Sequence, residues 1–240
     1  MAGLATAGAL SRAGWQVTLL ERGERVAASP TALVLWSNGR KALESLHPDG
    51  GWHAITSPLP DGGVRRPDGQ WLVPPRSRQN GDGPAVVHLE DLYDALVAGL
   101  GDTEIRTGTE VTKVRVGPGR RPAVTDGRTW FEADLLVAAD GIDSPIRKVV
   151  APESVAIGSG FAAWQAVIPA FRAPALDTGG ETLGAGYRFV SVPLGRRGGV
   201  YWVATAAGAS RPESAATQLA LLQRWFASWH APIGELLAAT

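Results

Sequence analysis

The residues best suited to chemistry lie in one run, Asp134-Leu135-Leu136-Val137-Ala138-Ala139-Asp140-Gly141-Ile142-Asp143-Ser144-Pro145-Ile146-Arg147. Its apolar half predicts a parallel strand buried on both faces. That strand delivers Asp140 and Gly141 to its carboxyl end, where open α/β sheets bind ligands. Gly141 can turn the chain sharply or let a ligand approach the backbone. Ser144 then Pro145 fits a helix N-cap and first helical position. Arg147 falls in that first turn, placed to meet an anion. A second pair is Gly3 and Glu21, eighteen residues apart. In a dinucleotide fold the third glycine of the phosphate turn permits close helix–strand packing, and an acidic residue about 20 positions on binds ribose hydroxyls. Alone, the pair fits equally well an Ala-rich helix and strand that bind no nucleotide.

Other chemistries are poorly served. The chain has no Cys, which excludes disulfides, thiolate metal sites and Cys nucleophiles. Its four His, at 47, 53, 88 and 230, are too scattered for a His-rich metal cage, and no metal site is expected. The 23 basic and 23 acidic side chains cancel, so the basic excess of a nucleic-acid binder or a polybasic membrane anchor is missing. No apolar run approaches the length of a membrane span. The start, Met1-Ala2-Gly3-Leu4, lacks the basic region of a signal peptide. The expectation is a cytoplasmic protein with a small-molecule partner.

The elements that must position these residues read as α/β. Ala2 to Ala13 predicts a helix closed by Gly14, and Val17 to Leu20 a buried strand ending at Glu21-Arg22. Residues 23–33 read as a loop. Ser37 to Leu46 and His88 to Leu100 read as helices, the second with Leu89, Leu92, Leu96 and Leu100 on one face. Short strands are expected near Val64 and at Trp71 to Val73, and a polar loop at 79–84. Further strands are expected at Glu104 to Arg106 and Val111 to Val116. Ala123 to Thr125 and Trp130 to Glu132 form a hairpin around Asp126-Gly127. Beyond about residue 155, strands are expected at Phe161 to Ile168, Tyr187 to Val192 and Val200 to Ala206. A final helix runs from Ser214 to Trp229. Nine Trp is a high count for 240 residues. Trp164, Tyr187, Phe189, Tyr201 and Trp202 are candidates to line a pocket, although core packing explains most of them. Tyr201 and Trp202 must face opposite sides of their strand.

The segment 134–147 resembles the "DG" motif of class A FAD-dependent monooxygenases, the para-hydroxybenzoate hydroxylase-like family. Residues 2–22 resemble that family's flavin-binding helix and ribose strand. Residues 86–100 resemble the helix beside the flavin, and 161–170 and 186–206 the start of its substrate-domain sheet. The resemblance implies a Rossmann-like, GR2-type FAD-binding domain with a parallel sheet and an inserted β-sheet substrate domain, both incomplete. Residues 1–155 would form the FAD domain, with an inserted strand and loop region at about 50–85. Residues 156–240 would begin the substrate domain. It further implies bound FAD, NAD(P)H as reductant, and hydroxylation of a small, often aromatic substrate with O2 through a flavin C4a-hydroperoxide. By position, Gly3 would pack near the pyrophosphate. Glu21 would bind the adenosine ribose with Arg22 beside it, and Val111 would offer backbone contacts to the adenine side. Asp140, Gly141 and Arg147 would serve FAD and NAD(P)H. No catalytic acid or base is selected by the residues themselves.

The chain departs from the family pattern. Met1 stands inside the first glycine turn, after the family's first strand. Thr240 falls just before its second flavin motif. Such a central strand contributes about 8–15 kcal/mol of apolar burial, comparable to the stability of a whole domain. The expectation is an incomplete gene product or a start assigned too late. Leu89 and Gln165 stand where the family often carries Arg. Two alternatives stay open: a degenerate fragment without flavin or activity, and a related flavoprotein such as a halogenase or isoprenoid reductase.

Overall fold

The computed structural model describes residues 1–46, 51–59, 62–75, 83–176, 178–208 and 213–240. Within these, the chain runs α1 (Ala2–Arg12), β1 (Thr18–Leu20), β2 (Ala32–Leu35), α2 (Ser37–Leu46), α3 (Trp52–Ile55), β3 (Thr56–Pro58), β4 (Gly63–Arg65) and β5 (Trp71–Val73). It continues with β6 (Ala85–His88), α4 (Leu89–Ala98), β7 (Glu104–Arg106), β8 (Lys113–Arg115), β9 (Ala123–Thr125), β10 (Trp130–Glu132) and α5 (Pro145–Val150). The last elements are β11 (Phe161–Ile168), β12 (Gly180–Gly184), β13 (Tyr187–Pro193), β14 (Val200–Ala207), α6 (Ala215–Trp225) and α7 (Ile233–Ala238). Residues 79–82 of the expected polar loop lie outside the described residues.

The chain divides into two discontinuous units. The first holds Met1–Ala28, Leu46–Gly50 and Tyr93–Gly158. In it, α1 buries Leu4, Ala7 and Gly8, an i, i+3, i+4 face. Past its end, Trp15 N–H donates back to the Leu10 carbonyl, with Gly14 at φ +86°. The two-residue turn after α1 lets β1 run parallel to β7, Thr18 opposite Glu104. An antiparallel sheet, β10-β9-β8, forms from local hairpins. The Asp126 carboxylate closes the β9–β10 turn by accepting from Arg128 and Thr129 N–H at 2.8 and 2.7 Å. Ala123, Val124 and Thr125 of β9 are buried, as central positions of a three-stranded sheet should be.

The second unit holds Ser29–Ser45, Gly51–Leu92 and Ser159–Thr240. Its six-stranded sheet has the order β11-β14-β13-β12-β4-β5, with β12 and β4 parallel. Strands from residues 63–73 therefore complete a sheet begun in the second half of the chain. One face is covered by α6 and α7, where Phe189, Trp202, Phe226, Leu236 and Leu237 pack together. The other face packs Val192, Leu194 and Tyr201 against Ala32 and Val86 of β2 and β6. Those two strands belong to a second, antiparallel sheet of order β2-β6-β3.

Several expectations change. Residues 135–139 form no strand and pair with none among the described residues, with Leu135 48% and Val137 47% exposed. A strand buries both faces only when neighbours cover them, and among the described residues none pairs with this segment. For the same reason β1, paired on one edge only, is at best half-buried. The strand expected over Val111–Val116 shortens to β8. The final helix ends at Trp225, and α7 follows as a separate element. Strands β2, β3, β6 and β12 were not foreseen.

Candidate flavin site

The N-terminal turn of α1 is the centre of the site. No side chain caps it and it carries no acidic residue, so its first N–H groups lack side-chain partners. With the positive end of the helix dipole, such a turn receives anions. Gly3 brings this turn against residue 139: a Cβ built at Gly3 would stand 3.4 Å from Ala139 Cβ. The residue after Ala139 is Asp140, so the close packing sets the Asp140-Gly141 corner beside the helix end.

Glu21 follows β1 directly. Its N–H donates to the Arg106 carbonyl and its own carbonyl accepts from Thr109 N–H, both at 2.9 Å. Its carboxylate Oε1 accepts from Gly23 N–H at 2.8 Å, which holds the side chain at the strand's carboxyl edge. The carboxylate is near enough to Met1 to raise the amino group's pKa, against a larger lowering by burial. That ammonium donates to the Tyr93 hydroxyl at 2.8 Å.

The Asp140 corner is a closed relay of hydrogen bonds. Ser144 Oγ donates to Asp140 Oδ2 at 2.8 Å and accepts from Arg147 N–H at 2.9 Å. Ser144 is 5% exposed and caps α5, with Pro145 at its first position. Gly141 sits at φ +93° with open space where a Cβ would point. Only glycine takes that conformation freely, and it leaves the backbone open to a ligand. The Arg147 guanidinium curls back to donate to the Ile142 carbonyl.

The structure thus gathers Gly3, Glu21, Asp140, Gly141 and Arg147 within one unit, the first three around the start of α1 or beside it. Arg22 is exposed, and Val111 is half-buried just ahead of β8. Neither is tied to the group by a hydrogen bond or ion pair among the described residues. Sequence reasoning identified Ser144 as a cap but missed its bond to Asp140. The four-residue spacing across a glycine turn was the available signal. Among the described residues no cluster of three or more His, Cys, Asp or Glu could hold a metal. None of the described helices is long and apolar enough to cross a membrane.

In the second unit, the aromatic candidates are mostly core. Trp164 Nε1 donates to Gln218 at 2.6 Å and meets Trp225 edge-on, and Phe189 stacks on Trp202 at 5.5 Å. Tyr201 and Trp202 do face opposite sides, yet both are buried because both faces of the sheet are covered. Gln165 accepts from the Tyr201 hydroxyl at 2.6 Å, and burial pushes that phenol's pKa up. Leu89 opens α4, half-buried, its N–H donating to the Thr31 carbonyl.

The chemistry of these residues is compatible with FAD: an uncapped helix end that can receive phosphate, a carboxylate that can accept from hydroxyls and an open glycine corner. Comparison with known proteins identifies the family. Residues 1–179 match the family model described as "FAD binding domain". The aurachin C monooxygenase/isomerase of Stigmatella aurantiaca is 32% identical over 247 residues, covering 99% of this chain and 63% of that protein. The 2-heptyl-3-hydroxy-4(1H)-quinolone synthase of Pseudomonas aeruginosa is 31% identical over 200 residues, covering 82% of this chain and 52% of that protein. The chain therefore spans between about half and under two thirds of these relatives' lengths. Among solved structures, Klebsiella pneumoniae HpxO complexed with FAD and uric acid has a TM-score of 0.84 at 24% identity, covering 99% of this chain and 62% of that one. The 2,6-dihydroxypyridine-3-hydroxylase of Arthrobacter nicotinovorans has a TM-score of 0.82 at 15% identity, covering 99% of this chain and 67% of that one. At these identities the structures establish the fold. The family match over residues 1–179, about three quarters of the chain, makes it a member of the FAD binding domain family.

Proposed function

We propose that the chain binds FAD through the start of α1 and the Asp140 corner. The protein would use NAD(P)H and O2 to hydroxylate a small aromatic substrate. The observation that carries the reading is the meeting of an uncapped helix N-terminus with the glycine-joined Asp140 segment and the Glu21 edge. Bound FAD supplies oxygen activation and transfer of one oxygen atom to the substrate. The chain's own residues bind and orient. The first-turn N–H groups of α1 receive the pyrophosphate, which Gly3 lets approach. Glu21 accepts from the ribose hydroxyls, with Arg22 beside it. The backbone at Val111 serves the adenine side. Asp140, held by Ser144, accepts hydrogen bonds on the flavin side, and Arg147 offers positive charge to FAD or NAD(P)H.

The substrate class is a nitrogen heteroaromatic ring. The names of the quinolone synthase and the dihydroxypyridine hydroxylase, and the uric acid complex of HpxO, all point that way. The substrate-binding part would be the six-stranded sheet unit.

A second reading has its own support. The segment that leads to Asp140 pairs with no strand among the described residues, and its Leu135 and Val137 are about half exposed. On that reading the chain by itself folds without retaining flavin. One measurement separates the two: the visible absorption spectrum of the purified chain, after FAD is added and the excess removed. A retained flavin spectrum, weakened in Glu21→Gln, supports the first reading. NAD(P)H oxidation stimulated by a 4-quinolone would extend it to the activity. A colourless, folded protein supports the second.

A further inference from the structure

The second unit carries a polar cleft on the sheet face covered by α6 and α7. Strands β4 and β12 meet there through glycine, Gly63 opposite Gly180. A Cβ at Gly179 would stand 2.8 Å from the Ser191 carbonyl oxygen, and one at Gly180 3.2 Å from that of Gly63. Beside these closely packed glycines lies a small cleft open to solvent. Arg65, Thr182, Ser191 and His230 form its polar walls, with Phe189 and Ile233 as apolar lining. The register puts Arg65 opposite Thr182, and Ser191 opposite Gly180, on neighbouring strands.

The hydrogen-bond balance of this cleft is one-sided. His230 Nδ1 lies 2.7 Å from the Ala231 carbonyl, which can only accept, so Nδ1 carries the proton. In the neutral ring Nε2 then accepts, and the Thr182 hydroxyl, 2.9 Å away, spends its proton there. Glu181, which also lines the cleft, has its carboxylate paired with Arg188. Two groups able to donate are left over. Ser191 is 9% exposed and its hydroxyl makes no hydrogen bond among the described residues. Arg65 makes no hydrogen bond or ion pair there either; its guanidinium only stacks on Trp71, 3.7 Å from the ring centre. Burial lowers the Arg65 pKa, and no carboxylate opposes that shift. A partly buried cation without a counter-charge is unfavourable, and a planar guanidinium matches an oxyanion in shape and polarity.

We infer that this cleft binds a small oxyanion of the carboxylate or phosphate class, held by the Arg65 guanidinium and the Ser191 hydroxyl. It shares no residue with the Gly3, Glu21 and Asp140 group and does not depend on flavin binding. The test is calorimetric titration of the 240-residue chain with inorganic phosphate and, separately, with formate, at ionic strength held constant with sodium chloride. Saturable one-to-one binding of either anion is expected, weakened about tenfold in Arg65→Gln and about threefold in Ser191→Ala. Far-UV circular dichroism checks that each variant folds, and Ser191→Ala carries the test should Arg65→Gln fail to. Binding of phosphate alone or of formate alone supports the site and assigns its chemistry. No saturable binding of either anion overturns the inference, and so does equal affinity in wild type and every folded variant.

Discussion

The Ser144 hydroxyl does two things at once, capping α5 and holding the Asp140 carboxylate. Ser144→Ala should cost about 1 kcal/mol from the lost cap, read as a lower thermal midpoint. It should also weaken FAD binding, because Asp140 is released to rotate. Ser144→Asp separates the effects: it keeps a capping oxygen but sets a second carboxylate beside Asp140. Stability should then recover more than FAD affinity, measured by flavin fluorescence titration. A different single residue sets a pH dependence. Burial, then the nearby Arg197, lowers the His88 pKa below 6.5, with Asp91 and Glu90 opposing more weakly. Its Nε2 is buried without a hydrogen-bond partner among the described residues. The unfolded chain therefore takes up the proton more readily than the folded one. Stability is full above pH 6.5 and is lost as pH falls from there toward the folded-state value. Thermal midpoints measured from about pH 8 to about pH 5 should show this slope, and His88→Gln should flatten it.

At the level of elements, α6 and α7 pack on the six-stranded sheet through fully buried side chains. Phe226 is 0% exposed and meets Phe189 at 5.4 Å, Tyr187 at 6.0 Å and Trp229 at 4.6 Å. Phe226→Ala should cost about 3–5 kcal/mol, seen as a large loss in urea midpoint. The join between β4 and β5 is limited by space. A Cβ at Gly63 would stand 2.2 Å from the Trp71 ring and 2.6 Å from the Val73 carbonyl oxygen. A ring can shift but a paired strand resists. Gly63→Ala should therefore cost about 1–3 kcal/mol, and by moving Trp71 it should loosen the stacked Arg65 as well. Thermal unfolding checks the first effect, and the phosphate and formate titrations check the second.

For the molecule as a whole, charge and surface act in the same direction. The formal net charge is zero, so no long-range repulsion keeps copies apart. Meanwhile Leu135, Val137, Ile142, Val155 and Ile157 are all exposed, Ile157 by 88%. Exposed apolar runs of this extent favour association. Sedimentation at rising protein concentration should show it, and a Val137→Asn, Ile157→Asn double variant should reduce it without lowering the thermal midpoint.

What could be read along the chain was whatever neighbours in sequence decide. The α1 stop at Gly14, the Asp126-Gly127 hairpin and the Ser144-Pro145 helix start each depend on a few adjacent residues, and each stands where expected. The family was readable because residues 134–147 resemble its motif. What the chain order could not disclose was decided by distant partners. Strand β12 exists because β13 and β4 flank it, and residues 63–73 join a sheet otherwise built from residues 161–207. The same dependence makes 135–139, apolar enough to be a buried strand, an exposed one-chain segment here. Composition gives a segment its preference for burial. Burial itself needs a second surface, and which surface arrives is settled only when the whole chain has folded.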